Sequence, residues 1–383
     1  MNLHHFAASA AGIALVILIL QDAFETLVLP QTVNRRWRPA RLYYRSAWAA
    51  WTRVAALVVR GRRHQSALGV FGPLSLLGLF TLWALCLIFA FALLQWSFGS
   101  HLDLVRGVAG FGADLYMSGT TFFTLGLGDV TPNDAIARVL TVLEAGIGFG
   151  FLALVIGYLP VLYQAFSRRE LNISLLDARA GSPPTAEELL RRHSADPAAF
   201  ERLLADWERW AAELMESHLS YPALAYYRSQ HQNQSWLAAL TTILDSSAFS
   251  IASFEGGVTR QARLTFAIAR HAVVDLSQIF HASPLASTDE RLSSEGLARI
   301  RARLVRANVP IRVDAEADRK LGELRKLYEP YVHALGHRFL FAVPNWSPDS
   351  ARVDNWRTSA WERIAGAPAR ARAELELHED EGG

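Results

Sequence analysis

The residues with the clearest chemical potential form a short glycine-punctuated stretch near the middle of the chain. This stretch reads Thr124-Leu125-Gly126-Leu127-Gly128-Asp129. Glycine adopts the left-handed backbone in which a side chain would clash, so alternating glycines let successive peptide carbonyls turn toward one axis. Carbonyl oxygens from several copies of the chain can then replace the water around a dehydrated cation, and the Thr124 hydroxyl would add a further ring. A glycine-rich pentamer alone is a weak signal, so the elements around it decide whether these oxygens bind an ion.

Two apolar segments flank the stretch and must hold it in place. Residues 69–99 contain no Asp, Glu, Lys or Arg, and residues 145–167 form a second charge-free run within a span expected from Ala135 to Phe166. Each exceeds the roughly 20 apolar residues that cross a bilayer. Irregular backbone survives at membrane depth only where protein or a water-filled cavity surrounds it. We therefore expect the two spans to form a cuff around the loop.

Composition excludes several other classes of protein. The chain is 51% hydrophobic and 19% charged, which is too apolar for a purely soluble protein. The single cysteine, Cys86, excludes a disulfide framework and a cysteine-ligated zinc site. The net charge of +2 gives no reason to expect nucleic acid as a partner.

A third and weaker span is predicted at the amino terminus, from Phe6 to Leu29. A secretory signal peptide is the alternative, but no Lys or Arg precedes the apolar run and no A-x-A pattern follows it. Residues 31–72 hold nine Arg and no Asp or Glu, which indicates a cytoplasmic loop by the positive-inside rule. Alternation of the spans then puts the N-terminus outside and the C-terminus in the cytoplasm.

The basic loop also has a helical pattern. Apolar and basic residues alternate at helical spacing, as in a helix that lies on an anionic inner leaflet. The apolar residues are Trp48, Trp51, Val54, Leu57 and Val58, and the basic ones are Arg45, Arg53 and Arg60. We therefore expect residues 31–63 to contact anionic lipid. A solvated basic connector is the alternative.

The position of the glycine stretch between two spans makes it a specific motif for a family of proteins. Residues 70–168 resemble the bacterial two-transmembrane-segment pore-loop potassium channels, because the motif T-x-G-x-G-D lies between two spans. The resemblance implies an all-α membrane protein with a tetrameric pore-loop potassium-channel pore and an all-α cytosolic domain. It also implies a homotetramer in the bacterial inner (plasma) membrane, with potassium as the permeant ion and no enzymatic activity.

The resemblance assigns roles around the predicted filter. Residues 113–123 would form the short pore helix, with Thr121 at the position of the family's pore-helix threonine. Asp129 matches the acidic residue that closes the family's motif. It would brace the filter against the pore helix at the outer mouth.

Three residues depart from the family pattern. Phe123 replaces a threonine, Leu125 replaces a valine and Leu127 replaces a tyrosine. The missing phenol at Leu127 removes a hydrogen bond that ties the filter to its cuff, which predicts softer selectivity. We expect potassium to be preferred over sodium, and a weakly selective monovalent cation channel is the alternative.

Two positions in the last span could form the pivot of a gate. Gly148 lies at the spacing from the filter where such channels place a hinge glycine. Pro160 removes a backbone hydrogen bond near the inner end. Close helix packing explains the glycine equally well, since small residues are common at transmembrane interfaces.

Acidic residues inside spans are candidates for function, because charge at membrane depth is costly. Glu144 lies about 13 Å into the last span. It either faces the pore axis or hydrogen-bonds the pore helix near Thr120 or Thr121, and we favour the second, a filter-supporting role. Asp22 and Glu25 share a helical face, where pairing with loop arginines is favoured over pH sensing.

After residue 170 the pattern becomes that of a soluble helical module. A capping box at Thr185 and Glu188 marks one helix start. Further helices are predicted at residues 200–217, 236–254, 261–280, 290–306 and 315–341, the last kinked by Pro330. Residues 236–254 include Asp245, so a buried soluble helix is favoured over a fourth span.

The module offers no clear chemistry, and its regulator is unknown from the sequence. His333 and His337 lie one helical turn apart, as do His271 and Asp275, but no third metal ligand is recognisable for either pair. A membrane-anchored sensor that uses the pore unit only to oligomerise is therefore an alternative function.

The predicted organisation has five parts. They are an N-terminal transmembrane helix, a basic cytoplasmic or interfacial segment, a pore domain, a helical cytosolic domain and a disordered tail, at residues 1–30, 31–70, 71–170, 171–366 and 367–383.

Overall fold

The computed structural model describes residues 3–29, 38–58, 62–104, 110–230, 233–286 and 290–348. The expected disordered tail at 367–383, and Arg35 and Arg36 of the basic loop, lie outside this part of the chain. The helices are α1 Leu3–Leu27, α2 Pro39–Val58, α3 Arg62–Ser97, α4 Phe111–Phe122, α5 Ala135–Ala180, α6 Ala186–His193, α7 Pro197–Ser220, α8 Trp236–Ser253, α9 Gly257–Ile279, α10 Ser294–Arg306, α11 Ala315–Lys326 and α12 Glu329–Phe339, with a 3-10 helix at Pro222–Tyr226. Two short strands, β1 Leu102–Leu104 and β2 Val130–Pro132, form an antiparallel pair.

The protein is an all-α membrane protein. Within the described chain, three helices are long and apolar enough to cross a membrane, namely α1, the 65–97 portion of α3, and α5. These correspond to the three spans expected from hydropathy, although α5 continues well past Phe166 and ends at Ala180.

The chain forms two compact units. The first, called here the membrane unit, comprises Met1–Phe166 and Leu219–Tyr227, and the second, the helical unit, comprises Ser167–His218 and Arg228–Gly383. The predicted boundary after residue 170 did not include the return of residues 219–227 to the membrane unit.

In the membrane unit, α1 packs closely along α3. A Cβ atom added at Gly12 would lie 2.9 Å from Leu94 Cγ and 3.0 Å from the Ala90 carbonyl oxygen, so glycine is needed for this approach. The hydroxyls of Ser9 in α1 and Ser97 at the end of α3 lie 2.7 Å apart. These contacts attach α1 to α3.

Asp22 connects three helices of the membrane unit. Its Oδ2 accepts hydrogen bonds from Trp83 Nε1 at 3.0 Å and from the Ala40 backbone N–H at 2.9 Å. Since Ala40 lies in the first turn of α2, the carboxylate caps that helix. Glu25 lies 3.5 Å from Arg38. The expected pairing with a loop arginine therefore applies to Glu25, whereas Asp22 binds an indole and a helix N-terminus.

Replacement of Asp22 by alanine should destabilise the membrane unit. The Trp83 and Ala40 N–H groups would both lose their acceptor, at a cost of about 1–3 kcal/mol each. Asp22→Asn keeps one acceptor oxygen and should lose much less. Thermal unfolding of the purified protein in detergent measures both, and equal losses in the two variants would contradict this role.

The face of α2 that packs on protein carries its tryptophans. Trp48 is 5% exposed, and its ring lies 4.8 Å from that of Phe71. Trp51 Nε1 donates to the Ala67 carbonyl at 3.0 Å. The expectation that these rings face a lipid leaflet is therefore wrong, because the aromatic side chains are used for helix packing. The opposite, exposed face carries Leu42, Arg45, Arg53 and Leu57.

The helical unit is built around α8, whose residues are all buried. Asp245, near its middle, accepts hydrogen bonds from the side chains of Arg291 and Tyr328, so the buried charge is paired. This enclosure agrees with the interpretation of α8 as a soluble helix.

The prediction of a single kinked helix over residues 315–341 is wrong. The chain forms α11 to Lys326 and begins again as α12 at Glu329. Pro330 lies in the first turn of α12, where its missing N–H removes no helical hydrogen bond. The proline therefore starts a helix rather than bending one.

His218 in α7 is fully buried in the helical unit. Its Nδ1 lies 2.8 Å from the Leu214 carbonyl, to which it can donate, and its Nε2 lies 3.3 Å from Arg169 Nη1. Burial first, and then the nearby Arg169 charge, lower the pKa of His218 to about 3. The folded protein thus holds this imidazole neutral.

The stability of the helical unit should consequently fall in mild acid. Below the ordinary pKa of 6.5 the unfolded chain takes up a proton at His218 that the folded chain does not, so this contribution is complete above pH 6.5 and is lost toward pH 3. At pH 5.0 the loss relative to pH 7.5 is about 2 kcal/mol. Unfolding at the two pH values should show a smaller difference for His218→Gln than for the parent protein. An unchanged pH dependence in His218→Gln would refute this account.

Candidate functional site

The glycine stretch follows α4 directly and has an alternating backbone. The angle φ is positive at Thr124 (57°), Gly126 (56°) and Gly128 (77°). A Cβ atom added at Gly126 or Gly128 would meet nothing within 4 Å, so their backbone conformation, and not a lack of space, is what favours glycine. Residues 123–129 are all exposed in the single chain, including the side chains of Leu125 and Leu127.

The carboxyl end of α4 anchors the start of this stretch. The Thr124 N–H donates to the Thr121 carbonyl at 2.9 Å, and the Leu125 N–H donates to the Thr120 carbonyl at 2.7 Å. These bonds satisfy carbonyls that a helix terminus leaves free. The described contacts of Thr121 with the stretch are thus made by its backbone.

The amino end of α4 is anchored by a buried acid. Asp114 lies in the first turn, where a negative charge is favourable, and accepts a hydrogen bond from Ser100 Oγ at 2.6 Å. Beyond the stretch, β2 pairs with β1, and Asp134 caps α5 by accepting from the Ala137 N–H at 2.7 Å. Both sides of the loop are therefore attached to residues that immediately follow α3 or precede α5.

Asp129 lies at the end of the glycine stretch and contacts α4. The Tyr116 hydroxyl donates to Asp129 Oδ2 at 2.9 Å. This bond links the residue that follows the last glycine to the middle of the preceding helix. It restrains the distance between the end of the glycine stretch and α4.

Glu144 lies in α5 and faces α4. It is fully buried, and its Oε1 lies within hydrogen-bonding distance of the Ser118 hydroxyl, which also lies 2.7 Å from the Ile88 carbonyl. The partner is thus Ser118 and not Thr120 or Thr121, because Ser118 is the residue whose side chain faces both α3 and α5. Glu144 Oε2 has no partner among the described residues.

Gly148 brings α5 against the end of α4. A Cβ atom added there would lie 3.0 Å from the Phe122 carbonyl carbon and nearer still to its oxygen. The close packing of α5 against the end of α4 therefore explains why position 148 is a glycine. The contact lies immediately before the glycine stretch. Pro160, the other candidate pivot, lies inside the continuous helix α5.

Sequence reasoning missed three side chains of this site. Asp114, Tyr116 and Ser118 lie on α4 and contact Ser100, Asp129 and Glu144 respectively. Helical spacing does place Asp114 and Ser118 on one face, but nothing in the sequence named their partners.

These features define a class of membrane protein: two spans that hold a short helix and an irregular, glycine-containing loop between them. Comparison with known proteins agrees with this description. Residues 79–164 match the model of a family described as ion channel. The match supports an ion channel and favours a function that is not enzymatic.

The chain is also similar to a protein of Bacillus subtilis (strain 168) described as the uncharacterized membrane protein YdjJ. The two are 27% identical over 203 residues, which cover 52% of this chain and 57% of the relative. The matched region thus spans little more than half of the relative's length. No solved structure matches the chain.

Proposed function

We propose that the protein is a homotetrameric, potassium-preferring channel in which Thr124–Gly128 form the selectivity filter. The observation that carries the proposal is the alternating backbone of a glycine loop between two membrane helices. Such a backbone can present a column of carbonyl oxygens to a dehydrated potassium ion, the permeant species. Four copies are needed, because the carbonyls of one chain cannot surround an ion.

The exposed apolar surface of α5 supports this assembly. Several apolar side chains of its membrane portion are more than half exposed in the single chain. They include Val139, Val142, Phe149, Leu152 and Ile156. A helix that lines a tetrameric pore would cover part of this surface with neighbouring copies. The exposed loop residues 123–129 would meet their equivalents at the same axis.

The Tyr116–Asp129 bond supports potassium preference despite Leu127. It ties the outer end of the filter to α4, a restraint that compensates for the absent phenol. Tyr116→Phe should lower the potassium-to-sodium permeability ratio about fivefold, since the bond contributes on the order of 1 kcal/mol. Bi-ionic reversal potentials measure the ratio, with Tyr163→Phe, an exposed tyrosine of α5, as the control. A parental ratio in Tyr116→Phe would remove this support and favour the weakly selective alternative.

The orientation and lipid contacts follow from the basic loop. We propose that the C-terminus is cytoplasmic and that Arg45 and Arg53, with the exposed Leu42 and Leu57 beside them, bind anionic lipid of the bacterial inner membrane. The regulator of the helical unit is unassigned.

Ion flux through the purified protein in liposomes tests the function. We expect potassium efflux that exceeds sodium efflux, together with a tetrameric mass in mild detergent. A tetramer that passes neither ion would favour a membrane-anchored sensor, and a monomer would refute the pore.

A further inference from the structure

A nine-residue segment, Leu219–Tyr227, leaves the helical unit and packs in the membrane unit. It contains no charged residue and includes the 3-10 helix that begins at Pro222. Leu224 is fully buried, and Tyr226 is 5% exposed. We call it the aromatic segment, since it contributes Tyr221, Tyr226 and Tyr227.

One side of the aromatic segment fills a socket formed by α2 and α3. The Tyr226 ring stacks on Tyr44 with centroids 5.5 Å apart and planes 13° apart. It also lies 5.4 Å from Trp48 and 5.3 Å from Phe71. A Cβ atom added at Gly72 would lie 2.7 Å from the Tyr227 ring, so the fit is close. Burial of aromatic rings among aromatic rings gives this contact a substantial apolar contribution.

The other side touches α5 on both sides of Pro160. The Tyr221 ring lies 5.6 Å from Tyr158, which precedes the proline, and the Tyr227 ring lies 5.7 Å from Phe166, which follows it. Proline removes one backbone hydrogen bond of the helix and makes that point easier to bend. A bend at Pro160 would change the distance between Tyr158 and Phe166 and would break at least one ring contact.

The residues that flank the aromatic segment are also held by α5. Arg169 Nη1 lies 3.3 Å from His218 Nε2, and Glu170 Oε1 accepts from Ser229 Oγ at 3.2 Å. Arg169 and Glu170 are themselves joined at 3.0 Å. Both ends of the segment are therefore attached just beyond the part of α5 that the segment contacts.

We propose that the aromatic segment couples the helical unit to the gate by setting the bend of α5 at Pro160. It spans the one proline of this helix, is anchored on α2 and α3, and is continuous at both ends with the helical unit. A displacement of His218 or Arg228, which flank the segment in the chain, would move the segment and remove its restraint on bending at Pro160. The proposal rests on the proposed conduction function for its effect on current, but not for its effect on α5.

Hydrogen exchange of the purified full-length protein tests the structural part. Tyr221→Ala and Tyr227→Ala together should raise amide exchange of residues 158–166 by about tenfold, the effect of losing two aromatic pairs. Leu171→Ala, which changes an exposed leucine of α5 beyond both contact points, should leave exchange of residues 158–166 at the parental rate. If the double variant does not fold, Tyr221→Leu should raise exchange in the same residues, whereas Tyr221→Phe keeps the ring and should not. Parental exchange in a folded Tyr221→Leu or double variant would overturn the proposal.

Single-channel recording tests the coupling. Tyr221→Ala and Tyr227→Ala should shift open probability in the same direction, by about tenfold for both together. In a Pro160→Ala background, which restores the backbone hydrogen bond, the shift should disappear. A shift that persists there would overturn the role of the bend. A parent protein that conducts no ion would refute the proposed function while leaving the exchange result as the measure of the contact.

Discussion

Gly126→Ala should abolish potassium flux while leaving the protein folded and tetrameric. The backbone at Gly126 has a φ of 56°, and the same left-handed conformation recurs at Gly128. A Cβ atom at that conformation costs roughly 1–2 kcal/mol, which the exposed loop can avoid by turning the peptide. Turning it would remove a carbonyl from the pore axis in all four subunits at once. We therefore expect potassium flux to fall at least 100-fold in a liposome assay, since every subunit loses a carbonyl that would coordinate the ion.

Gly112→Ala is the matched control for this prediction. Gly112 lies in α4, and a Cβ atom added there meets nothing within 4 Å. The substitution adds the same methyl group at a position whose backbone is helical and not left-handed. Parental flux in Gly126→Ala would refute the assignment of the filter, and a loss in Gly112→Ala equal to that in Gly126→Ala would show that the assay reports folding only.

Gly148→Ala should cause the second-largest loss. The added methyl group would overlap the Phe122 carbonyl, which is backbone and cannot rotate away as a side chain does. Overpacking of this kind costs about 1–3 kcal/mol and displaces the neighbouring element. Here the displaced element is the end of α4, whose carbonyls accept from the Thr124 and Leu125 N–H groups. We expect potassium flux to fall at least tenfold and the midpoint of thermal unfolding to drop.

Gly150→Ala separates packing from hinge bending at this place in α5. A Cβ atom at Gly150 meets nothing within 4 Å in the chain, and alanine there removes the same backbone freedom from the same helix. A packing role for Gly148 predicts a loss in Gly148→Ala alone. A hinge role predicts altered gating with an unchanged unfolding midpoint, and that result would contradict the overlap with Phe122.

The contacts around the glycine stretch and the contacts of the aromatic segment suggest two separate functions. The Tyr116–Asp129 and Ser118–Glu144 contacts connect the loop and α5 to α4, whereas Tyr221 and Tyr227 contact α5 around Pro160. In the proposed channel the first set would affect selectivity and the second set would affect open probability. Measurement of both quantities on each variant would show whether the two functions are separable.

The sequence was sufficient for features that depend on residues close together along the chain. The three membrane helices follow from runs of apolar residues, and the capping of α6 by Thr185 follows from a four-residue pattern. The left-handed backbone at Gly126 and Gly128 follows from residue type. In each case the deciding interaction lies within one turn of helix, one loop or one bilayer thickness. The local sequence is therefore enough to predict the feature.

Contacts between distant residues were decided only by tertiary structure. Hydropathy marked Glu144 and Asp22 as unusual, but their partners Ser118 and Trp83 depend on which helix faces are brought together. The tryptophans of α2 fit a lipid surface and a protein socket equally well by periodicity. Trp48 packs on protein because Phe71 and Tyr226, which are distant in the chain, lie beside it. Burial of an apolar face is favourable against any apolar neighbour, and only the assembled fold specifies which neighbour is present.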